Sequence, residues 1–311
     1  MSFQLHEHLA HKIFSDTKVA IQWLQQAHRQ FLNIGQPIRV NYDEQNLSFE
    51  RRTVAVEIDQ IYRMVLNKQR FLRPSVLIVD YAMPQMTGLA FCEAVNGMPY
   101  KKILLTGQAS ESIAIKAFNR SLINRFIKKS DPDALEHLEV EIRNLQKLFF
   151  IEESGTLKDL LVRHSFTFLS DPDMGMLIEQ LCERYGFVEY YLFPDPVGIL
   201  FFDINGKGTL MVIETETSLM SQFEVALEQG APLQLLSALR EMRIVPFFSD
   251  TLGMYDESIS HEWLSYCLPA EVCHGTQDFY WALFDLPSRY LQAPIYSYAD
   301  FLRDQASGSA S

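Results

Sequence analysis

The sequence predicts an α/β first half built on a five-stranded, parallel, doubly wound sheet, followed by a second, α+β domain with an antiparallel sheet. Three observations predict it. Short apolar runs alternate with helical patterns through residues 1–150, as strands joined by crossover helices require. One run, Ser75-Val76-Leu77-Ile78-Val79, is apolar and β-branched, the composition of a strand buried on both faces. Beyond residue 185 the apolar runs follow one another with turn residues between them, and Asn205-Gly206 is a strong hairpin signal because a tight turn needs positive φ at both central residues.

The elements follow in order. Lys12-Ile13-Phe14 reads as a first strand, and Ile21, Leu24, Ala27 and Phe31 recur at helical spacing over residues 18–32. Ile38 to Tyr42 reads as a second strand. Arg52 to Leu66, with Val54, Val56, Ile58, Ile61, Tyr62 and Val65, reads as a helix. The strand at 75–79 ends at Asp80. A helix over 88–95, a strand over 102–105, a helix over 110–118 and a strand over 125–127 come next. A further helix begins near Asp133, after Pro132, with Ser130 or Asp131 available as its cap. In that helix Leu135, Leu138, Ile142, Leu145 and Phe149 follow 3-4-3-4 spacing. The stripe fits packing on the helix's own sheet; the alternative is a homodimer seam or a stiff connection into the second half.

In the second half, residues 157–168, 174–185, 218–229 and 232–241 read as helices. Residues 187–191, 199–203, 209–215 and the aromatic stretch 279–284 read as strands. The boundaries drawn from these patterns are a first domain over 1–132, a connecting helix over 133–155, a second domain over 156–304 and a small, polar, disordered tail over 305–311.

Composition narrows the function. With 311 residues and 48% hydrophobic content the chain can bury a core, and its length favours two domains. It has no run of about 18 apolar residues, and Met1 to Lys12 lacks the apolar stretch of a signal peptide, so a cytoplasmic protein without membrane attachment is expected. Cys92, Cys182, Cys267 and Cys273 are too few and too unevenly spaced for a disulfide scaffold or paired metal-binding CxxC motifs. Residues 1–150 hold 19 Lys and Arg against 15 Asp and Glu, net +4. Residues 151–311 hold 8 against 24, net −16. An acidic half repels a phosphate backbone, so no nucleic-acid binding is expected of it.

The chemistry gathers in the first half. Val79-Asp80-Tyr81-Ala82-Met83-Pro84-Gln85-Met86-Thr87-Gly88 puts an aspartate at a strand end, followed by Met-Pro and then Gly. Leu104-Leu105-Thr106-Gly107 and Phe126-Ile127-Lys128-Lys129-Ser130 end two later strands, with Thr106 26 residues after Asp80 and Lys129 23 after Thr106. In an open parallel sheet the carboxyl ends of strands share one rim, where ligands bind. A carboxylate nucleophile, a hydroxyl and a cation at that rim suit phosphoryl transfer, because the moving group needs in-line attack and positive charge against its equatorial oxygens.

These three motifs resemble the receiver domain of bacterial two-component response regulators, which has a flavodoxin-like fold, over about residues 10–150. The resemblance implies Asp80 as phosphoacceptor, Thr106 and Phe126 as switch residues, and Lys129 as the fixed cation. Phe126 stands three residues before Lys129, as the family's aromatic stands before its lysine, and strand alternation turns Lys128 to the other face. The resemblance also implies a Mg2+ ion held by Asp16, Asp80 and the backbone carbonyl of Ala82. Ser15 replaces one member of the family's acidic pair, which weakens that site, and Ser130 replaces the usual proline after the lysine. The implied partner is a sensor histidine kinase or a phosphotransfer protein.

No recognition helix with flanking basic residues, GGDEF, EAL or HD motif, or histidine-kinase box occurs in the second half. Cys267, Cys273 and His274 lack a fourth partner for a metal. Asp203, Glu214 and Glu216 flank a hairpin, and His261-Glu262 opens a helix. Phe201, Phe202, Phe247, Phe248, Tyr280 and Trp281 are simplest as core. The reading is a response regulator that passes the phosphorylation of Asp80 to an acidic interaction or sensor module. Two alternatives stand beside it: a receiver-like scaffold that is never phosphorylated, and a receiver-gated enzyme using Asp203, Glu214 or His261.

Overall fold

The computed structural model describes residues 10–33, 38–42, 52–56, 65–107, 111–162, 166–251, 253–290 and 295–308. The chain forms two compact units, Met1–Gly35 with Gln69–Thr156, and Gln36–Lys68 with Leu157–Ser311. Residues 36–68 thus group with the second unit, whereas the sequence pattern keeps them in the first domain.

The first described elements are helix α1 (Thr17–Asn33) and then β1 (Ile38–Tyr42) and β2 (Arg52–Val56), paired antiparallel from Ile38↔Val56 to Tyr42↔Arg52. Two expectations change here. The expected second strand of a parallel sheet pairs antiparallel with its sequence neighbour, and the expected helix over 52–66 starts as a strand. Three of the four residues Thr53-Val54-Ala55-Val56 are β-branched, and such side chains prefer the pleated backbone. Residues 57–64 lie outside the described residues; Val65 and Leu66 are helical, and Val65 is buried in the core of the second unit. Lys12-Ile13-Phe14 is not a strand: Ile13 is 83% exposed, and Phe14 packs against Trp23 at 5.4 Å between ring centroids.

The rest of the first unit consists of β3 (Val76–Asp80), α2 (Gly88–Ala94), β4 (Lys101–Thr106), α3 (Glu111–Asn119), β5 (Arg125–Lys128) and α4 (Ala134–Val162). Among the described residues its sheet has three strands, not five, in the order β3-β4-β5, all parallel. The central β4 is buried at every position, while β3 exposes Ile78 on one side, as an outer strand of the described sheet does. Alternate residues of β4 face different clusters. Leu104 packs with Leu24, Phe91 and Ala117, and Ile103 and Leu105 pack with Ile127, Leu138, Ile142 and Leu145. That arrangement decides the stripe on α4. Leu138, Ile142, Leu145 and Phe149 are buried within the unit and cannot also form a seam with a second copy; Leu135 alone of the five is exposed.

The second unit continues with α5 (Pro172–Tyr185), β6 (Phe187–Pro194), β7 (Val197–Asp203), β8 (Gly208–Thr215), α6 (Glu216–Glu228), α7 (Leu233–Arg240), β9 (Ile244–Pro246), β10 (Cys267–Pro269), β11 (Glu271–His274), β12 (Asp278–Asp285) and α8 (Tyr298–Gly308). Among the described residues its main sheet has five antiparallel strands in the order β11-β12-β8-β7-β6. The expected aromatic core is present, with Phe201, Phe202, Phe247 and Phe248 buried and Tyr280 and Trp281 partly buried. The β7–β8 connection differs from the expected tight turn. It spans residues 204–207, only Gly206 has positive φ, and Asp203 Oδ1 accepts from the Asn205 and Lys207 N–H groups at 2.9 and 2.8 Å. The expected disordered tail is helical through Gly308; residues 309–311 lie outside the described residues.

Candidate functional site

Parallel pairing carries the carboxyl ends of β3, β4 and β5 to one rim. β3 ends at Asp80, β4 at Thr106 and β5 at Lys128, and the Lys129 N–H donates to the Thr106 carbonyl at 2.9 Å. From there Lys129 Nζ reaches Asp80 Oδ2 at 2.6 Å. The side chains are 35% and 39% exposed, so the pair is open to a reagent from solvent. Asp80 Oδ1 accepts from the Ala82 N–H at 3.2 Å, which fixes the carboxylate at the start of the loop.

That loop is drawn close to the sheet by Gly88. The Gly88 N–H donates to the Tyr81 carbonyl at 2.9 Å, and a Cβ at this position would collide with the Asp80 carbonyl oxygen and press on Leu104. The glycine of the Asp80 motif is therefore a steric requirement of the rim. Thr87 then caps α2, its hydroxyl accepting from the Ala90 N–H at 3.3 Å.

Asp16 stands before α1 and caps it. Its Oδ1 accepts from the Lys18 and Val19 N–H groups at 2.8 and 3.0 Å, and its Oδ2 accepts from Gln85 Nε2 at 3.0 Å. The Val19 N–H above all, with the Lys18 N–H and the Gln85 amide, holds the Asp16 carboxyl below its ordinary range. Sequence reasoning missed Gln85 and Thr17, which join the Asp80 loop to α1. Gln85 Oε1 accepts from the Thr17 N–H at 2.7 Å and from its hydroxyl at 2.8 Å. Position gave no periodic signal for either; the one legible clue was an amide side chain in the loop after the aspartate.

Neither Thr106 nor Phe126 is hydrogen-bonded to the Asp80 carboxylate. Thr106 is fully buried, and its hydroxyl donates to the Ile127 carbonyl at 3.5 Å, the long limit of a hydrogen bond. Phe126 is half-buried and lines a surface hollow of about 230 Å³ with Phe118 and Arg125. Ser15 is exposed, next to Asp16.

The donors at this rim match a small, hard divalent cation: two carboxylates and a backbone carbonyl, all oxygen. A carboxylate offers about four lone-pair sites. Asp16 Oδ1 has two donors, but Oδ2 has one and keeps a free lone pair. Asp80 has one donor on each oxygen, leaving room for a cation. The residues present fit the ion.

The other candidates are dispersed. Asp203 builds its turn, and Glu214 lies at the far end of β8, roughly 20 Å away at about 3.3 Å per residue. Burial pushes the Glu214 carboxyl up to about 7. Glu216 and His261 are exposed. The cysteines are free thiols; burial pushes Cys92 up to about 11 and Cys267 to about 12, against thiolate chemistry. His274 pairs with Asp278 at 2.8 Å. Among the described residues no three His, Cys, Asp or Glu side chains gather as a metal cluster, and no helix is long and apolar enough to cross a membrane. A groove of about 1110 Å³ between Leu233, Met242, Trp263 and Leu268 collects only Cys267 of the candidates.

The chain is similar to the Legionella pneumophila response regulator LqsR, with 29% identity, 97% of this chain and 88% of that chain covered, and a TM-score of 0.74. Shorter overlaps occur with an uncharacterized protein from Neptuniibacter caesariensis (26% identity, 26% of this chain and 59% of that chain, TM-score 0.23). A third is with the signal receiver domain of a Luxo repressor protein from Vibrio parahaemolyticus (18% identity, 45% and 89% covered, TM-score 0.24). At such TM-scores these two overlaps do not define the fold. No family model matches the chain, and no curated protein matches it.

Proposed function

For a chain built like a two-component response regulator along nearly its whole length, we propose that Asp80 accepts a phosphoryl group from a histidine kinase or phosphotransfer protein. The observation that carries this reading is the Asp80–Lys129 contact of 2.6 Å at an open strand rim. An Asp80 carboxylate oxygen attacks phosphorus in line as the donor's P–N bond breaks, and the phosphoryl group becomes an acyl phosphate while the donor imidazole leaves with the electron pair. Lys129 holds positive charge against the equatorial oxygens. Mg2+, held by Asp16, Asp80 and the Ala82 carbonyl, supplies further charge neutralisation when bound. Thr106 sits beside the site with a weak, 3.5 Å bond to Ile127, which a stronger acceptor on Asp80 can outcompete; the hydroxyl then turns, and Phe126 follows into the space behind it. The second unit, which contains most of the acidic half, is an interaction or sensor module and not a DNA binder.

The test is intact mass spectrometry after incubation with Mg2+ and a small acyl phosphate donor. The wild-type chain is expected to gain one labile phosphoryl mass, and Asp80→Asn none. Gain by neither protein would leave the receiver-like scaffold, the reading that Ser15 favours; equal gain by both would move the phosphoacceptor elsewhere.

A further inference from the structure

Gln85 has no role in the chemistry above, yet it makes three hydrogen bonds at the rim. It lies in the loop that follows Asp80, and both ends of its carboxamide are engaged across 68 and 69 residues of chain, at Thr17 and Asp16. The orientation of the amide is forced. The Thr17 N–H can only donate, so Oε1 must face it; the Asp16 carboxylate can only accept, so Nε2 must face that. Thr17 is buried, which anchors the oxygen end.

The consequence falls on Asp16. Two backbone N–H groups at the start of α1 hold Oδ1 from one side, and the Gln85 amide holds Oδ2 from the other. The carboxylate cannot rotate without breaking one of these bonds, and a single lone pair on Oδ2 remains uncommitted. In metal sites the groups that hydrogen-bond a ligating carboxylate set its direction, and their loss costs affinity even though they never touch the ion. A neutral amide does this without adding the second negative charge that Ser15 has removed.

We propose that Gln85 is a positioning residue that orients Asp16 for a divalent cation and ties the Asp80 loop to α1, compensating for the acidic residue missing at position 15. The inference rests on the phosphoacceptor reading of this rim. It also excludes the opposite role, an amide that competes with the cation for Asp16.

The experiment uses the full chain and Mn2+, which shares the hard-oxygen, octahedral preference of Mg2+ and has its own paramagnetic signal. Mn2+ titrations followed by electron paramagnetic resonance compare wild type with Gln85→Ala and Gln85→Met, with thermal midpoints recorded in parallel. Gln85→Met keeps most of the side-chain volume and supplies the answer should the alanine variant not fold. The expected result is binding weakened about 10-fold to 100-fold in the variants, with thermal midpoints close to wild type. Wild-type binding that is unchanged or tightened in the variants would overturn the proposal while leaving Asp80 as phosphoacceptor. A wild-type chain that neither binds Mn2+ nor gains phosphoryl mass would overturn both, so the two failures are distinguishable.

Discussion

Asp80 in the first unit and Glu214 in the second both stand at or near the carboxyl end of a strand, but the two carboxylates meet different surroundings. Asp80 is 39% exposed with a lysine nitrogen at 2.6 Å. Glu214 is 7% exposed, and desolvation pushes it up to about 7. The difference follows from sheet type. Parallel neighbours bring several strand ends and their loops to one rim, so a cation on the loop after β5 can reach an acid at the end of β3. In the antiparallel sheet the partner of Glu214 is Tyr280, inside β12, and α6 begins two residues later, so the carboxylate is covered. One geometry keeps a charge accessible for chemistry, and the other encloses it.

Breaking the antiparallel sheet is the severest way to test that the two units carry separate tasks. A Cβ on Gly198 would collide with the Met211 carbonyl oxygen at the end of the β7–β8 ladder, where Gly198 faces Val212 and is also paired with Phe193 of β6. Gly198→Ala is expected to lower the denaturant-derived stability of the second unit by about 3 kcal/mol or more. Phosphoryl gain at Asp80, followed by mass, should persist; its loss would show that the rim depends on the second sheet.

A milder change sharpens the contrast in charge. Because the folded-state pKa of Glu214 lies above the ordinary carboxylate value of 4.5, the folded chain binds the extra proton. The stability this gives is complete below about pH 4.5 and is lost as pH rises through about 7. Glu214→Gln keeps the shape and removes the titration. It is expected to flatten the dependence of unfolding free energy on pH across this window, with a gain approaching roughly 3 kcal/mol at pH 8. A variant whose slope matches wild type would place the desolvated carboxylate elsewhere.

The smallest expected effect on stability separates the two roles of Asp16. Asparagine caps a helix about as well as aspartate, so Asp16→Asn should change the thermal midpoint by the equivalent of only a few tenths of a kcal/mol. The same variant removes the charge that a cation needs, and Mn2+ binding should fall well beyond that. Comparable losses in both measurements would mean that Asp16 serves α1 alone.

Much of the rim was legible because each of its residues ends an apolar run. Val76 to Asp80, Lys101 to Thr106 and Arg125 to Lys128 form strands within a residue or two of where their composition puts them. The resemblance, through the aromatic Phe126 three residues earlier, singled out Lys129 over Lys128, with strand alternation turning Lys128 away; the Lys129 nitrogen meets Asp80. The stripe on α4 was equally visible, but a 3-4 spacing records only that one helix face is apolar, and the buried β4–β5 surface rather than a second copy covers it. Residues 36–68 misled for a related reason. Ile38 to Tyr42 reads as a strand whichever neighbour it pairs with, and only the antiparallel register with Arg52 to Val56 shows that it does not extend the parallel sheet.

From order and composition alone came the three motifs, their sequence, the acidic second half and the succession of hairpins, because propensity and period are properties of neighbouring residues. Strand partners, the three-stranded extent of the described parallel sheet, the burial of Glu214 and the Gln85 bridge to Asp16 required the tertiary structure. Each of these depends on groups brought together from distant parts of the chain, such as Gln85 and Asp16, 69 residues apart. Their geometry is set by packing and hydrogen bonding in the folded state, to which local pattern is blind.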